Sequence, residues 1–180
     1  SKYFNKKGIT WNLITSAING FRIKKADNIY SSASPTIFNE DFEYDYNVLG
    51  FLHTKVAQTI LKLINPTLNT SVGDVLSLPI QNGGDSISSF VSDSITIAKE
   101  DWDIHETSWD FQQNKLIKQS SDEIKKAYNQ YEHYWQNQFY ELHSNEEELN
   151  KQFIEIYGLQ EELTPDVSLD EITILKEELD

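Results

Sequence analysis

The spacing of apolar residues changes period along the chain. From Gly8 to Thr15 the run Gly-Ile-Thr-Trp-Asn-Leu-Ile-Thr is rich in β-branched and aromatic residues with partial alternation, and predicts a strand. Asn19-Gly20 reads as a hairpin turn. Phe21-Arg22-Ile23-Lys24 alternates apolar with basic residues, which puts both charges on one face of a second strand. A third short strand is predicted near Ser34-Pro35-Thr36-Ile37-Phe38, confined by its proline to a sheet edge or a strand start. Between Asp45 and Ile64 the period lengthens to that of a helix. Val48, Leu49, Leu52, Val56, Thr59, Ile60 and Leu63 form one amphipathic stripe, and Pro66 ends it. The loop from Asn65 to Thr70 then leads through Val72-Gly73-Asp74 to Leu78-Pro79-Ile80.

Gln81-Asn82-Gly83-Gly84 has the composition of a linker, and only helices are predicted beyond it. Asp85 caps one that runs to about Trp102, with Ile87, Val91, Ile95, Ala98 and Trp102 on its stripe. Ser120 and Glu123 have capping-box spacing. The helix predicted from Ser121 to His143 buries Ile124, Ala127, Tyr128, Tyr131, Trp135, Phe139 and Leu142, and spans about 35 Å. A last helix starts near Asn145, presents Leu149, Phe153 and Ile156, and stops at Gly158. The fold class expected is α+β. A small strand-containing lobe with one amphipathic helix occupies residues 1–82, an all-helical lobe 85–164, and a loosely held tail 165–180.

Charge divides along the same line. The net charge of −14 argues on average against a nucleic-acid partner. Residues 1–80, however, carry eight basic residues against six acids, whereas the remaining hundred carry seven against twenty-three. The first 25 residues hold six positive charges and no acid, a density that a phosphate backbone could use and that a solvated basic face would also explain. At 38% hydrophobic and 12% aromatic the composition is globular. The absence of cysteine excludes disulfides, thiolate zinc sites and a cysteine nucleophile. No membrane span or signal peptide is visible, so a cytoplasmic protein is expected. Methionine is missing even at position 1, which suggests a processed or excised piece of a larger protein.

No catalytic or metal site emerges from the motifs. None of the seven glycines falls into a phosphate-cradling pattern. His53, His105, His133 and His143 lack ligand spacing. Asp101, Asp103, Glu106 and Asp110 cluster around Trp102 and Trp109, which admits a metal or acid-base site but is also the pattern of a solvated helix face. Glu123-Ile124-Lys125 imitates half of a nuclease metal motif, without the Pro-Asp partner. The aromatics Tyr128, Tyr131, Tyr134, Trp135 and Phe139 could stack bases, yet at helical spacing in an acidic region they read as core.

Several segments in order carry a resemblance. Gly8-Ile9-Thr10-Trp11, Leu49-Gly50-Phe51-Leu52-His53-Thr54-Lys55-Val56 and Ile64-Asn65-Pro66-Thr67-Leu68-Asn69 look like the C-terminal part of large bacterial adenine-specific DNA methyltransferases. Val72-Gly73-Asp74 and Leu78-Pro79-Ile80 extend the likeness, as do Ala98-Lys99-Glu100-Asp101-Trp102-Asp103, Glu106-Thr107-Ser108-Trp109-Asp110-Phe111, Asn145-Glu146-Glu147-Glu148-Leu149-Asn150 and the run from Ile156 to Pro165. The enzymes most resembled are the PglX type of BREX phage defence and the related type IIG restriction-modification proteins. The resemblance implies a non-catalytic C-terminal fragment of an N6-adenine-specific transferase whose catalytic domain lies upstream of residue 1. S-adenosylmethionine is then expected for the parent enzyme and no cofactor in this chain. The family's Asn-Pro-Pro-aromatic motif is absent, since Asn65-Pro66-Thr67 lacks the second proline and the aromatic residue.

The front lobe, ending in a helix followed by a loop and a Leu78-Pro79-Ile80 strand, resembles the end of a target-recognition domain, which implies double-stranded DNA as partner. Lys6, Lys7, Arg22, Lys24 and Lys25 are then candidate phosphate contacts, and Trp11, Asn65 and Asn69 candidate base readers or loop-shaping residues. Turn formation by the two asparagines and core packing by Trp11 are the competing readings. The alternative for the acidic helices is an interaction module that docks the upstream methyltransferase domain or a defence-system subunit.

Overall fold

A computed structural model describes residues 3, 5–29, 31–38, 42–118 and 123–174 of the chain. It has a three-stranded antiparallel sheet in the order β2-β1-β3 and five α-helices, the α+β class expected. β1 (Gly8–Thr10) sits centrally, paired with β2 (Arg22–Lys24) in the register Gly8↔Lys24, Ile9↔Ile23, Thr10↔Arg22 and with β3 (Thr36–Ile37) through Ile9↔Ile37 and Thr10↔Thr36. Pro35 stands just before β3 at the sheet edge, where its missing N–H costs no ladder bond. A glycine is required at position 8, because a Cβ there would lie 2.3 Å from the Ile37 carbonyl oxygen.

The strand predicted over 8–15 stops at Thr10, although the Trp11 and Leu13 amides still bond the Pro35 and Ala33 carbonyls at 3.4 and 3.1 Å; the Trp11 indole donates Nε1–H to the Thr70 carbonyl at 2.9 Å. The link from β1 to β2 is not a tight hairpin. Asn19 folds back instead and donates Nδ2–H to the Asn12 carbonyl at 3.3 Å, with its side chain buried.

Two helices replace the single one predicted over 45–64. α1 (Phe42–His53) and α2 (Lys55–Ile64) are broken at Thr54, whose φ of −78° and ψ of 156° are extended. The Thr54 hydroxyl donates to the Phe51 carbonyl at 2.7 Å and accepts from the Ala57 amide at 3.4 Å, so a buried N-cap makes the elbow. α2 ends ahead of Pro66, with the Asn65 amide returning to the Leu61 carbonyl. Val72–Leu76 is a short helix, α3, opened by a capping box in which Ser71 and Asp74 bond each other's backbone amides. Leu78-Pro79-Ile80 is not a strand.

α4 (Asp85–Asp103) covers the predicted span, but its buried stripe runs through Ile87, Val91 and Ile97, leaving Ala98 and Trp102 exposed. α5 (Ile124–Tyr157) is one helix of 34 residues where two were expected, passing straight through His143-Ser144-Asn145. It ends at Gly158, φ +67°, in a Schellman pattern: the Leu159 amide bonds the Ile154 carbonyl and the Gly158 amide that of Glu155. Ser120 lies outside the described residues. Glu123 directly precedes α5, and its carboxylate pairs with Lys126 at 3.1 Å.

The chain divides into two compact units, residues 1–91 with 149–165 and residues 92–148 with 166–180. The Gln81–Gly84 segment lies inside the first unit. There a Cβ on Gly83 would meet Ile87 Cδ1 at 1.7 Å, so the backbone packs directly on the α4 side chain. That unit's core holds Ile9, Trp11, Phe21, Phe51, Leu52, Val56, Ile87 and Phe153. The second unit has two clusters. One joins Ile97 and Leu142 to Val167, Ile172 and Ile174, the other joins Ile104, Tyr131 and Trp135. The described part of the tail predicted to be loose is therefore packed. Val167 also donates its amide to Glu147 at 3.1 Å and accepts from His143 Nε2 at 2.8 Å.

Candidate nucleic-acid interface

All eight candidate contacts fall in the first unit, but they do not form one face. Lys6, Lys7 and Lys25 are exposed beside one end of the β1–β2 pair, and continuing the register one step from Gly8↔Lys24 sets Lys7 opposite Lys25. Arg22 is exposed two positions along β2 and donates Nη2–H to Asn12 Oδ1 at 2.9 Å. Four exposed cations thus stand along one strand pair.

Lys24 does not join them, contrary to the alternation. It is 4% exposed, and its ammonium donates to the carbonyls of Lys25 at 2.9 Å and Lys6 at 3.2 Å. Its flexible stem carries the charge back over the backbone, so the face from which the Cβ starts does not decide where the nitrogen ends. Trp11, 1% exposed, packs against Phe21 with ring centroids 5.7 Å apart, which is the core role and not a base-reading one.

Asn65 shapes the loop. Its Nδ2 donates to the Asn69 carbonyl and to Asp74 Oδ2, both at 2.9 Å, while its Oδ1 accepts from the Thr67 amide at 3.1 Å and hydroxyl at 2.7 Å. The bond from Asn65, then those from Ser71, hold the Asp74 carboxyl below its usual range. Asn69 is exposed next to an isolated bridge to Ile14, where the Thr15 amide bonds Leu68 and the Thr70 amide bonds Leu13. Asn12 was not legible as a neighbour of Arg22, because only the fold brings the two together.

Three acids near the end of α4 are engaged with lysines. Lys99 pairs with Asp103 and, at 3.1 Å, with Asp110, and these bonds, Asp103 first, raise its pKa. Burial pushes the Glu100 carboxyl up, but bonds from Lys115 and from the Tyr134 hydroxyl outweigh it and leave the pKa lowered. The Lys115 ammonium also lies 3.6 Å from the Tyr134 ring centroid. No group of three or more His, Asp or Glu that could hold a metal ion occurs among the described residues. Each histidine has a bonded partner: His53 the Phe21 carbonyl, His105 that of Asp101, His133 the Asn137 amide and His143 the Val167 carbonyl.

One carboxyl stands apart. Burial, aided by Glu171 and opposed by His143, pushes Glu146 up to about 7. The folded protein therefore keeps a proton that the unfolded chain releases above its ordinary carboxylate pKa, so stability falls as pH rises from about 4.5 to 7 and is flat above. Glu146→Gln is expected to remove that slope and to gain about 1–2 kcal/mol at pH 8, after allowance for partial solvent screening. Urea midpoints at pH 5 and pH 8 measure it.

No protein-family model matches the chain. Over 184 residues it is 28% identical to the adenine-specific methyltransferase PglX of Lacticaseibacillus casei (strain Zhang), a match that covers 99% of this chain and 15% of that protein. The chain is thus similar to adenine-specific methyltransferases. The same identity, over 169 residues and 93% of the chain, relates it to the adenine-specific methyltransferase BrxX of Escherichia coli O9:H4 (strain HS), of which it covers 14%. The chain therefore spans about a seventh of the length of these methyltransferase relatives.

A Cβ on Gly8, Gly50 or Gly83 would strike the protein's own atoms, so these glycines serve internal packing. A cleft in the second unit is lined by Glu100, Asp103, Ile104, Asp110, Lys115 and Lys118. No helix among the described residues is long and apolar enough to cross a membrane.

Proposed function

We propose that the chain is the C-terminal part of an N6-adenine-specific DNA methyltransferase of the BREX phage-defence or restriction-modification kind, acting in the cytoplasm. Its first unit lies against duplex DNA, and the methyl transfer from S-adenosylmethionine is done by residues elsewhere in the polypeptide. The observation that carries this reading is the similarity to adenine-specific methyltransferases over 93–99% of the chain. An enzyme that modifies a base must extrude it from the stack, and the lobe that grips the flanking duplex supplies positioning contacts to phosphates. Exposed Lys6, Lys7, Arg22 and Lys25 suit that work; Lys24 and Trp11 do not.

Two measurements test it. Sequencing of host DNA should find N6-methyladenine at one motif that disappears when the full-length gene is deleted. Duplex binding by the full-length enzyme should weaken on reversing Lys6, Lys7, Arg22 and Lys25 to Glu, with the slope of log affinity against log salt falling by about 3–4, near one per lost phosphate contact. An unchanged slope would remove the first unit from the DNA interface.

A further inference from the structure

We propose that the loop at the end of α4, Asp101 to Phe111, is a docking site for a basic protein surface, anchored by Trp102 and Trp109. Of the four tryptophans, Trp11 and Trp135 are each 1% exposed, whereas Trp102 is 59% and Trp109 102% exposed. Neither exposed indole makes a ring contact with another described residue. An indole held fully in water is an unsatisfied apolar surface, and tryptophan is among the residues that most often dominate binding energy at protein interfaces.

The loop that presents them is fixed. His105 Nδ1 bonds the Asp101 carbonyl at 2.8 Å and the His105 amide bonds that of Trp102 at 3.3 Å. Ser108, buried, donates to Asp103 Oδ1 at 2.8 Å and accepts from the Asp110 amide at 3.1 Å. Lys99 then ties both Asp103 and Asp110 to α4, one on each side of the loop. The indoles are therefore presented by a backbone whose ordering does not have to be supplied on binding.

Charge decides the partner. Between Glu100 and Phe111 there are five acids, Glu100, Asp101, Asp103, Glu106 and Asp110, and no lysine or arginine; counted with Lys99 and Lys115, which pair with three of them, the group keeps a net charge of −3. Nucleic acid is repelled by such a segment, and a second copy meeting it across a two-fold axis would bring like charges together. Arginine and lysine both pair with carboxylates and stack on indole faces, so a protein surface rich in them is the complement of this loop. The inference does not depend on the DNA reading of the first unit.

A nona-arginine peptide serves as probe for the full chain, followed by tryptophan emission, since the two buried indoles hold the blue part of the spectrum and the exposed pair the red. The expected result is saturable quenching of the red component, with affinity weakened about tenfold or more in Trp102→Ala/Trp109→Ala and unchanged in Asp27→Asn, which removes an exposed charge in the other unit. The double variant is expected to keep the parent's unfolding midpoint, so a binding loss is not a folding loss. Equal affinity in the double variant, or no binding at all, would each overturn the proposal.

Discussion

Truncating Phe153 to alanine is expected to destabilise the protein by about 3–5 kcal/mol, the cost of removing a large buried aromatic whose site cannot collapse. Phe153 is fully buried in the first unit, with its ring centroid 5.4 Å from that of Phe51. Phe51 is stacked on Tyr157 at the same centroid distance, and the Tyr157 hydroxyl bonds the Pro79 carbonyl and accepts from the Gln81 amide at 3.0 Å. The Gly83 backbone closes the other side, with a built Cβ 3.4 Å from Phe153 Cζ. Three segments distant in sequence thus rest on one ring. A loss of this size is a large fraction of the 5–15 kcal/mol typical of a whole domain. Urea unfolding followed at 222 nm measures it. Tyr140→Ala, at an exposed position of the same helix, is expected to change stability by less than about 0.5 kcal/mol. A comparably small loss for Phe153→Ala would mean that the end of α5 is not packed on the first unit's core.

How far the fold was legible follows from what local pattern can carry. The period of apolar residues placed α4 and most of α5, and Gly158 was correctly read as the residue that ends α5. The two errors of continuity have opposite signs. At Thr54 the 3.6-residue repeat of the sequence runs on across a real break, but beyond it α2 buries Val56, Ala57 and Leu61 and leaves Thr59 and Leu63 of that repeat exposed. At His143-Ser144-Asn145 the polar residues suggest a break where none exists. Asn145 is 8% exposed inside a continuous helix, and with no glycine or proline between Ile124 and Tyr157 packing overrides weak local propensities. The capping box of Ser71 and Asp74, and the short helix α3 that it opens, were not indicated by the spacing of apolar residues. In the candidate interface, exposure of Lys6, Lys7, Arg22 and Lys25 agrees with the polar pattern. The destination of the Lys24 ammonium depends on the Lys6 carbonyl of another strand, which no spacing encodes, whereas the turn built by Asn65 is local and was one of the two readings open for it.

Lys24→Glu is expected to unfold the sheet-bearing part of the first unit, with a loss of about 3–5 kcal/mol, the usual cost of leaving a buried charge without its partner. The ammonium sits between the carbonyls of Lys6 and Lys25, both acceptors, and a carboxylate in its place would present a third acceptor to two others. Lys24 is also the register partner of Gly8, so the disturbance falls on the central strand. Lys24→Met keeps the apolar stem and removes the charge. It leaves two carbonyls short of a donor and is expected to cost about 1–3 kcal/mol. Thermal midpoints by circular dichroism separate the two variants, and a Lys24→Glu protein that melts with the parent would show that the ammonium is not held in this way. The distinction governs how DNA binding is tested. Reversing Lys24 together with Lys25 would abolish binding by unfolding the strand pair, and that loss would be indistinguishable from removal of a phosphate contact. Lys24→Met, measured well below its melting point, is expected to bind duplex DNA as the parent does, whereas Lys6, Lys7, Arg22 and Lys25 can be reversed with little cost to the core beneath them because their side chains are exposed.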